Sequence, residues 1–298
     1  MSTPIVFSLE DFLAENFNQP LFLIDKIVPT AGRPGIIFGK RGSGKSHLAN
    51  NLIRSIADGT HLLGRYKSRQ GRVTYLSVDM PMQMVQERSG KLASVVNNWG
   101  NVQISVTDTP IDIVKTRPSE KWVQEIMAFS PDLLIIDTLR KIHRLDENDN
   151  QTVAIIQAAL AHTFGGQIAI ALIHHERKDS EHSSYTPLEE RASGAGAWMD
   201  SGEFGIHIAK GKKTAPPEVT VRFPRVRHCA DQDPILTHMD INSMTLVPHT
   251  TALERGRQIV HQNPTYSIGD VAQKLEDEGL VKTSQAYKIA AVVCGQQP

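Results

Sequence analysis

The chain has 298 residues, of which 40% are apolar and 21% charged, and its 32 Lys and Arg are balanced by 32 Asp and Glu. At this length a protein buries about three quarters of the surface its unfolded chain exposes, so a core forms without disulfides or structural metal. Zero formal net charge excludes a uniformly basic nucleic-acid binder and leaves room only for a local basic patch. Cys229 and Cys294 lie far apart with no metal-ligand spacing, which points to a reducing compartment. The start Met1-Ser2-Thr3-Pro4 lacks a basic segment leading into an apolar core, and no apolar run approaches the about 20 residues of a membrane helix. A cytoplasmic protein with no membrane contact is expected.

In chain order, Ser8-x-x-Asp11 predicts a short helix around Ser8 to Phe17, followed by an extended segment to Pro29. From Gly35 the pattern alternates strand and helix. Gly35 to Phe38 reads as a buried strand and Lys45 to Asp58 as a helix. Arg72 to Val78 is a strand, Met82 to Asn97 a helix, and Val102 to Val106 a strand. A helix at Glu120 to Phe129 leads into the strand Asp132 to Asp137; a helix at Gln151 to Phe164 leads into the strand Gln167 to Ile173. Asp179 to Ala197, rich in Ser and Gly and poor in large apolar residues, is expected to be a mobile loop. Phe204 to Lys210 and Glu218 to Val226 read as strands paired around a turn at 211–217. Helices at Arg255 to Gln262, Ser267 to Glu278 and Thr283 to Val293, with Gly279 between the last two, have helix-turn-helix spacing. The expectation is an α/β fold with a mainly parallel central sheet and a small helical C-terminal module. Its parts are an N-terminal segment 1–30, a main α/β domain 31–250 and a helical module 251–298.

Gly39-Lys40-Arg41-Gly42-Ser43-Gly44-Lys45-Ser46 matches the phosphate-binding pattern G-x-x-x-x-G-K-[ST], after an apolar strand and before a helix. Glycines let backbone N–H groups converge on phosphate oxygens, and the helix N-terminus adds positive potential. Nucleotide contacts are therefore expected from Gly39, Lys40, Arg41, Gly42, Ser43, Gly44, Lys45, Ser46 and His47. In this pattern Lys45 reaches the β- and γ-phosphates of ATP and Ser46 ligates Mg²⁺. Asp137 ends the strand Leu133-Leu134-Ile135-Ile136, where an acid beside a P-loop holds the same Mg²⁺. A plain strand-terminal cap is the other reading of Asp137. P-loop and acid together predict nucleotide hydrolysis.

The P-loop, Tyr75-Leu76-Ser77-Val78-Asp79, Leu134-Ile135-Ile136-Asp137-Thr138-Leu139-Arg140 and Leu172-Ile173-His174-His175 resemble the RecA-like ATPases. Among these the chain looks most like the RepA group of hexameric plasmid replicative helicases and its phage relatives, over about residues 20–235. The resemblance implies that Asp79 polarises the attacking water, although the usual residue is Glu and Asp is one methylene shorter. It implies that His174 and His175 sense the γ-phosphate, and that Arg225 and Arg227 act as fingers on a neighbouring subunit's nucleotide. Each has a plainer alternative: Asp79 as a turn residue before Pro81, the histidines as core residues, the arginines as charges on a solvated edge strand. A zinc site at the histidines fails for want of nearby Cys or properly spaced Asp and Glu partners.

Lys210, Lys212, Lys213, Arg222, Arg225 and Arg227 face a single Glu218 between Gly205 and His228, and Arg140, Lys141 and Arg144 form a second basic cluster. Either can neutralise nucleic-acid phosphates, or simply be a solvated face. By family position the loop Asp179 to Ala197, with Arg177, Lys178, Arg191 and Ser193 in and beside it, would track single-stranded DNA, though it has no aromatic stacking platform. In the C-terminal module Ser284, Gln285 and Lys288 are placed for base contacts; its balanced charge suits a packing or partner-docking role equally. The expected function is a DNA-dependent ATPase of replicative-helicase type, acting as a homo-oligomeric ring, most simply a hexamer, on single-stranded DNA. The alternatives are a related ATPase serving as recombination mediator, loader or regulatory switch without unwinding, and a P-loop small-molecule kinase.

Overall fold

The computed structural model describes residues 6–15, 20–78, 80–146, 149–176, 195–211, 216–249, 252–277 and 283–295. It divides into two compact units, Met1–Val247 and Pro248–Pro298. In chain order the first unit opens with α1 (Leu9–Ala14), β1 (Phe22–Ile24), β2 (Val28–Pro29), β3 (Gly35–Gly39) and α2 (Lys45–Asp58). Next come β4 (His61–Leu62), β5 (Tyr66–Lys67), β6 (Val73–Ser77), α3 (Met82–Ala93), β7 (Val102–Val106), α4 (Lys121–Phe129) and β8 (Leu133–Asp137). It continues with α5 (Asn150–Phe164), β9 (Ala169–His175), α6 (Ala195–Ser201), β10 (Phe204–Lys210), β11 (Glu218–Val226), β12 (Gln232–Asp240) and β13 (Thr245–Pro248). The second unit holds α7 (Ala252–Gln262), α8 (Ile268–Asp277) and α9 (Thr283–Val293).

The central sheet has the order β13-β12-β11-β10-β3-β9-β8-β6-β7. Strands β10, β3, β9, β8, β6 and β7 run parallel, whereas β11 lies antiparallel to both β10 and β12. Parallel strands need crossovers that lay helices on both faces, so their residues are buried on both sides. That is why Gly35–Gly39 and Val73–Ser77 are buried throughout. Leu48, Leu52 and Ile56 of α2, spaced one turn apart, pack with Ile37, Val73, Leu133, Ile135, Ala171 and Ile173 on one face. Ile36, Phe38, Leu76, Leu134, Ile136 and Leu172 point to the other face, against Val123 and Ile126 of α4, Ile156 and Leu160 of α5, and Trp198 and Met199 of α6. Leu23, Ile24, Ile27 and Val28 join the first of these cores.

Three differences from the sequence expectation have simple causes. Residues 195–197, expected in a loop, open α6, because buried Trp198 and Met199 anchor that turn to the sheet; residues 177–194 lie outside the described part. The helix after β6 ends at Ala93 rather than Asn97, where the backbone N–H groups of Asn97 and Asn98 donate to the Asp58 carboxylate. Strands β12 and β13 were not foreseen. They close one side of the sheet; in β12 only alternate residues such as Ile235 and Thr237 are buried, and Pro234, Asp231 and Asp233 mask the pattern.

In the second unit Ile259, Val271, Ala272, Leu275, Ala286 and Ala290 form a separate small core. The expected cap of α8 is a reciprocal one: Asp270 N–H donates to Ser267 Oγ at 3.2 Å, and Ser267 N–H to Asp270 Oδ2 at 2.8 Å.

Candidate nucleotide site

The site is built at the carboxyl end of β3. A Cβ on Gly39 would collide with the carbonyl oxygen of Ile208, so the first P-loop position admits only glycine. Gly44 caps α2 at φ 106°, a left-handed conformation, and a Cβ there would lie 2.9 Å from Met239 Cε. From Lys45 onward α2 aims its N-terminal N–H groups at the loop. Ser43 is buried, and its hydroxyl has no partner among the described residues.

Lys45 is 6% exposed, and its Nζ donates to the carbonyls of Gly39 (2.8 Å) and Lys40 (2.9 Å). Burial lowers its pKa from 10.5 to about 8, against the opposing charges of Asp137 and Glu176. Asp137 sits on the cleft floor, where Oδ2 accepts from Tyr75 Oη at 2.6 Å and from Ser46 Oγ at 3.2 Å. Burial raises its pKa, opposed first by the Tyr75 and Ser46 hydrogen bonds and then by the charges of Lys45 and Arg88. Ser46 and Asp137 thus bring a hydroxyl and a carboxylate oxygen together, the hard donors Mg²⁺ prefers. Burial, and then the charge of this carboxylate, push the Tyr75 hydroxyl well above its usual pKa.

Around these groups lies an open cleft of about 1060 Å³. Lys40, Arg41, Arg88, Arg140 and Lys141 make its rim strongly positive beside Lys45, while Met239 and Met244 give it an apolar wall. His47 also lines it, its pKa lowered by burial and then by Arg88. The apolar wall is pinned to the P-loop helix. Asn51 Nδ2 donates to the Leu246 carbonyl at 2.9 Å and its Oδ1 accepts from the Leu246 N–H at 2.7 Å, while Asn50 Nδ2 donates to the Met244 carbonyl at 2.8 Å. Replacing Asn51 by Ala strands both buried groups of Leu246, an expected loss of about 2–4 kcal/mol, read as a lower denaturation midpoint at unchanged m-value.

A family model described as an AAA domain matches residues 5–181, more than half of the chain. The chain belongs to this AAA domain family. Two solved structures share its fold. The KaiC-like protein PH0186 from the hyperthermophilic archaeon Pyrococcus horikoshii OT3 is 13% identical, covering 76% of this chain and 93% of its own, with a TM-score of 0.51. A DnaB-like replicative helicase, solved for its interactions with primase, is 12% identical over 72% of this chain and 57% of its own, with a TM-score of 0.53. With the sheet order and the P-loop, these make the AAA-family unit a RecA-like P-loop ATPase fold.

Within this AAA-family unit the remaining sequence-picked residues separate. His175 lines the cleft. His174, its neighbour on β9, points through the sheet to the opposite face and is 1% exposed, because successive strand residues alternate. Asp79 lies outside the described residues, as do Arg177, Lys178, Arg191, Ser193, Lys212 and Lys213. Arg140 and Lys141 belong to the nucleotide cleft rather than to a separate surface.

The late basic run is split by topology. Lys210 ends β10 beside Gly42 of the P-loop, whereas Arg225 pairs with Gly205 at the start of β10, about 17 Å away at strand rise. Arg227 is held at that far end: its guanidinium donates to the Asp200 carbonyl at 3.0 Å and lies 3.9 Å from the Glu203 carboxylate, which also meets His228 at 2.9 Å. Arg225 Nε has no hydrogen-bond partner among the described residues. Sequence reasoning missed Arg88, Glu176, Met239 and Met244 in the cleft. Only Glu176 carried a signal, as an acid directly after a strand-terminal histidine pair.

Among the described residues no helix is long and apolar enough to cross a membrane.

Proposed function

We propose that the chain is a DNA-dependent ATPase of the hexameric replicative-helicase type, related to the RepA group, that couples ATP hydrolysis to movement on single-stranded DNA. The observation that carries this is the pair of sites at opposite ends of one sheet. A phosphate cleft opens at the carboxyl end of β3, while Arg225 and Arg227 stand beside the amino end of β10, too far to serve their own P-loop. Arginines so placed have work to do on ATP only if they reach a second subunit, which is what a ring provides.

In the cleft the P-loop N–H groups and Lys45 bind the phosphates, and Met239 and Met244 offer apolar surface to the base. Ser46 and Asp137 would hold Mg²⁺, which when bound neutralises charge on the β- and γ-phosphates. His175 faces the phosphates from the end of β9. A carboxylate must take the proton of the attacking water, a place the resemblance gives to Asp79. The second reading, an ATPase that loads, mediates or switches without unwinding, draws on the shorter side chain of Asp79.

The test is ATP turnover with and without single-stranded DNA, beside a strand-separation assay. A rise with DNA and separated strands support the helicase reading; a rise without separation selects the second; no response to DNA sinks the helicase reading. Arg225→Ala is expected to lower turnover on the order of 1000-fold while nucleotide binding persists. Mixing it with Lys45→Ala subunits should recover activity, because each supplies what the other lacks. A protein that stays monomeric with every nucleotide removes the finger assignment.

A further inference from the structure

Glu176 directly follows β9 and lines the cleft. Its N–H donates to the Gly39 carbonyl oxygen at 3.2 Å, the oxygen that also accepts from Lys45 Nζ at 2.8 Å. The phosphate-binding lysine and Glu176 therefore converge on one P-loop atom. On its other side the Glu176 carboxylate lies 3.5 Å from His207 Nε2 of β10, the two side chains 6% and 3% exposed. His207 is itself fixed against Phe38 of β3, with ring centroids 4.9 Å apart. The acid is thus fixed between the P-loop and β10, beside a cleft whose other charged groups, Asp137 apart, are cationic.

We propose that Glu176, rather than Asp79, accepts the proton of the attacking water, and that His207 is the positioning residue that holds its carboxylate. The proposal rests on the ATPase reading. A general base must come within hydrogen-bond reach of the water, and a shortfall near 1 Å is costly. Asp79 is one methylene short of the usual glutamate, whereas Glu176 supplies the full-length side chain from β9, the strand between the P-loop strand and β8. In the step, the water oxygen bonds to the γ-phosphorus as the bond to the β–γ bridging oxygen breaks, its electron pair leaving with ADP. The water proton passes to a Glu176 carboxylate oxygen and is released to solvent with the products.

The experiment measures steady-state turnover, and ATP and ADP affinities by a fluorescent-nucleotide competition, on wild type, Glu176→Gln, Asp79→Asn, His207→Leu and His207→Gln, each checked for cooperative thermal unfolding. Glu176→Gln is expected to lose on the order of 100-fold or more in kcat. It should bind ATP several-fold more tightly with ADP unchanged, because a negative charge facing the γ-phosphate has gone. Asp79→Asn should lose less. His207→Leu should lower kcat about tenfold at constant KM, and His207→Gln, whose amide N–H can stand beside the carboxylate where the imidazole stood, should restore most of it. Glu176→Gln turning over within about threefold of wild type overturns the proposal. So does loss of turnover without tighter ATP binding, or an equal or greater loss in Asp79→Asn. Equal losses in both His207 variants overturn the positioning role. A wild type that does not hydrolyse ATP fails the ATPase reading itself, while active wild type with active Glu176→Gln fails this inference alone.

Discussion

Lys45→Ala is expected to lose ATP binding by about 10- to 100-fold, and kcat/KM by on the order of 1000-fold, without unfolding. The side chain projects into the cleft from the first turn of α2, so the buried stripe Leu48, Leu52 and Ile56 is untouched by its removal. What disappears is a cation that two P-loop carbonyls already hold in place. Isothermal titration with ATP and a thermal-shift series check the result: wild type should gain stability with nucleotide and the variant should not. The lysine also predicts a pH dependence. With a pKa near 8 in the free protein it is charged below that pH, so affinity there carries no lysine proton. Above pH 8 binding to a polyanion must first restore the proton, and affinity should fall up to about tenfold per pH unit towards the pKa of the complex. Titrations at pH 8.5–9.5 in buffers of different ionisation enthalpy should show close to one proton taken up per nucleotide. Uptake of none would mean either that Lys45 is already protonated in the free cleft at these pH values or that it does not meet the phosphates.

Asp137→Asn is the second large effect. The carboxylate accepts from Tyr75 and Ser46 at the end of a buried strand, and asparagine preserves the shape while removing the charge. One amide oxygen can still accept from one hydroxyl, so the fold should stand with a loss of about 1 kcal/mol. Nucleotide affinity measured without Mg²⁺ should stay within a few-fold, because P-loop N–H groups and Lys45 remain. Mg²⁺-dependent turnover should fall by on the order of 100-fold or more, since the negative oxygen ligand is gone. A Mg²⁺ titration of ATP turnover reads this directly, and wild-type turnover in the variant would remove Asp137 from the site.

The P-loop and Asp137 were legible because their chemistry is local. Glycine spacing and a lysine at a helix start sit within one eight-residue stretch, and the acid directly ends its own apolar run, Leu133 to Ile136. The parallel strands were legible for a related reason: burial on both faces leaves unbroken apolar runs such as Leu133 to Ile136. The histidine pair shows the limit. Two adjacent residues on a strand must face opposite ways, so His174 and His175 never shared a site, but which one meets the cleft depends on the face that carries α2. The basic run from Lys210 to Arg227 reads as one patch along the chain. The reversal between β10 and β11 sends its ends to opposite ends of this strand pair.

Residue order alone determined that this AAA-family chain folds as an alternating α/β unit with a phosphate loop and a small helical module. Those properties follow from hydrophobic period and short-range backbone chemistry. Tertiary structure decided the rest of the cleft: Arg88 from α3, Met239 and Met244 from the region of β12 and β13, and the meeting of Glu176 with His207. These groups come from strands and helices far apart in the chain, and only strand order and register bring them to one end of the sheet. Spacing along a sequence carries no trace of that register, because it is set by which strands pair and not by how far apart their residues lie.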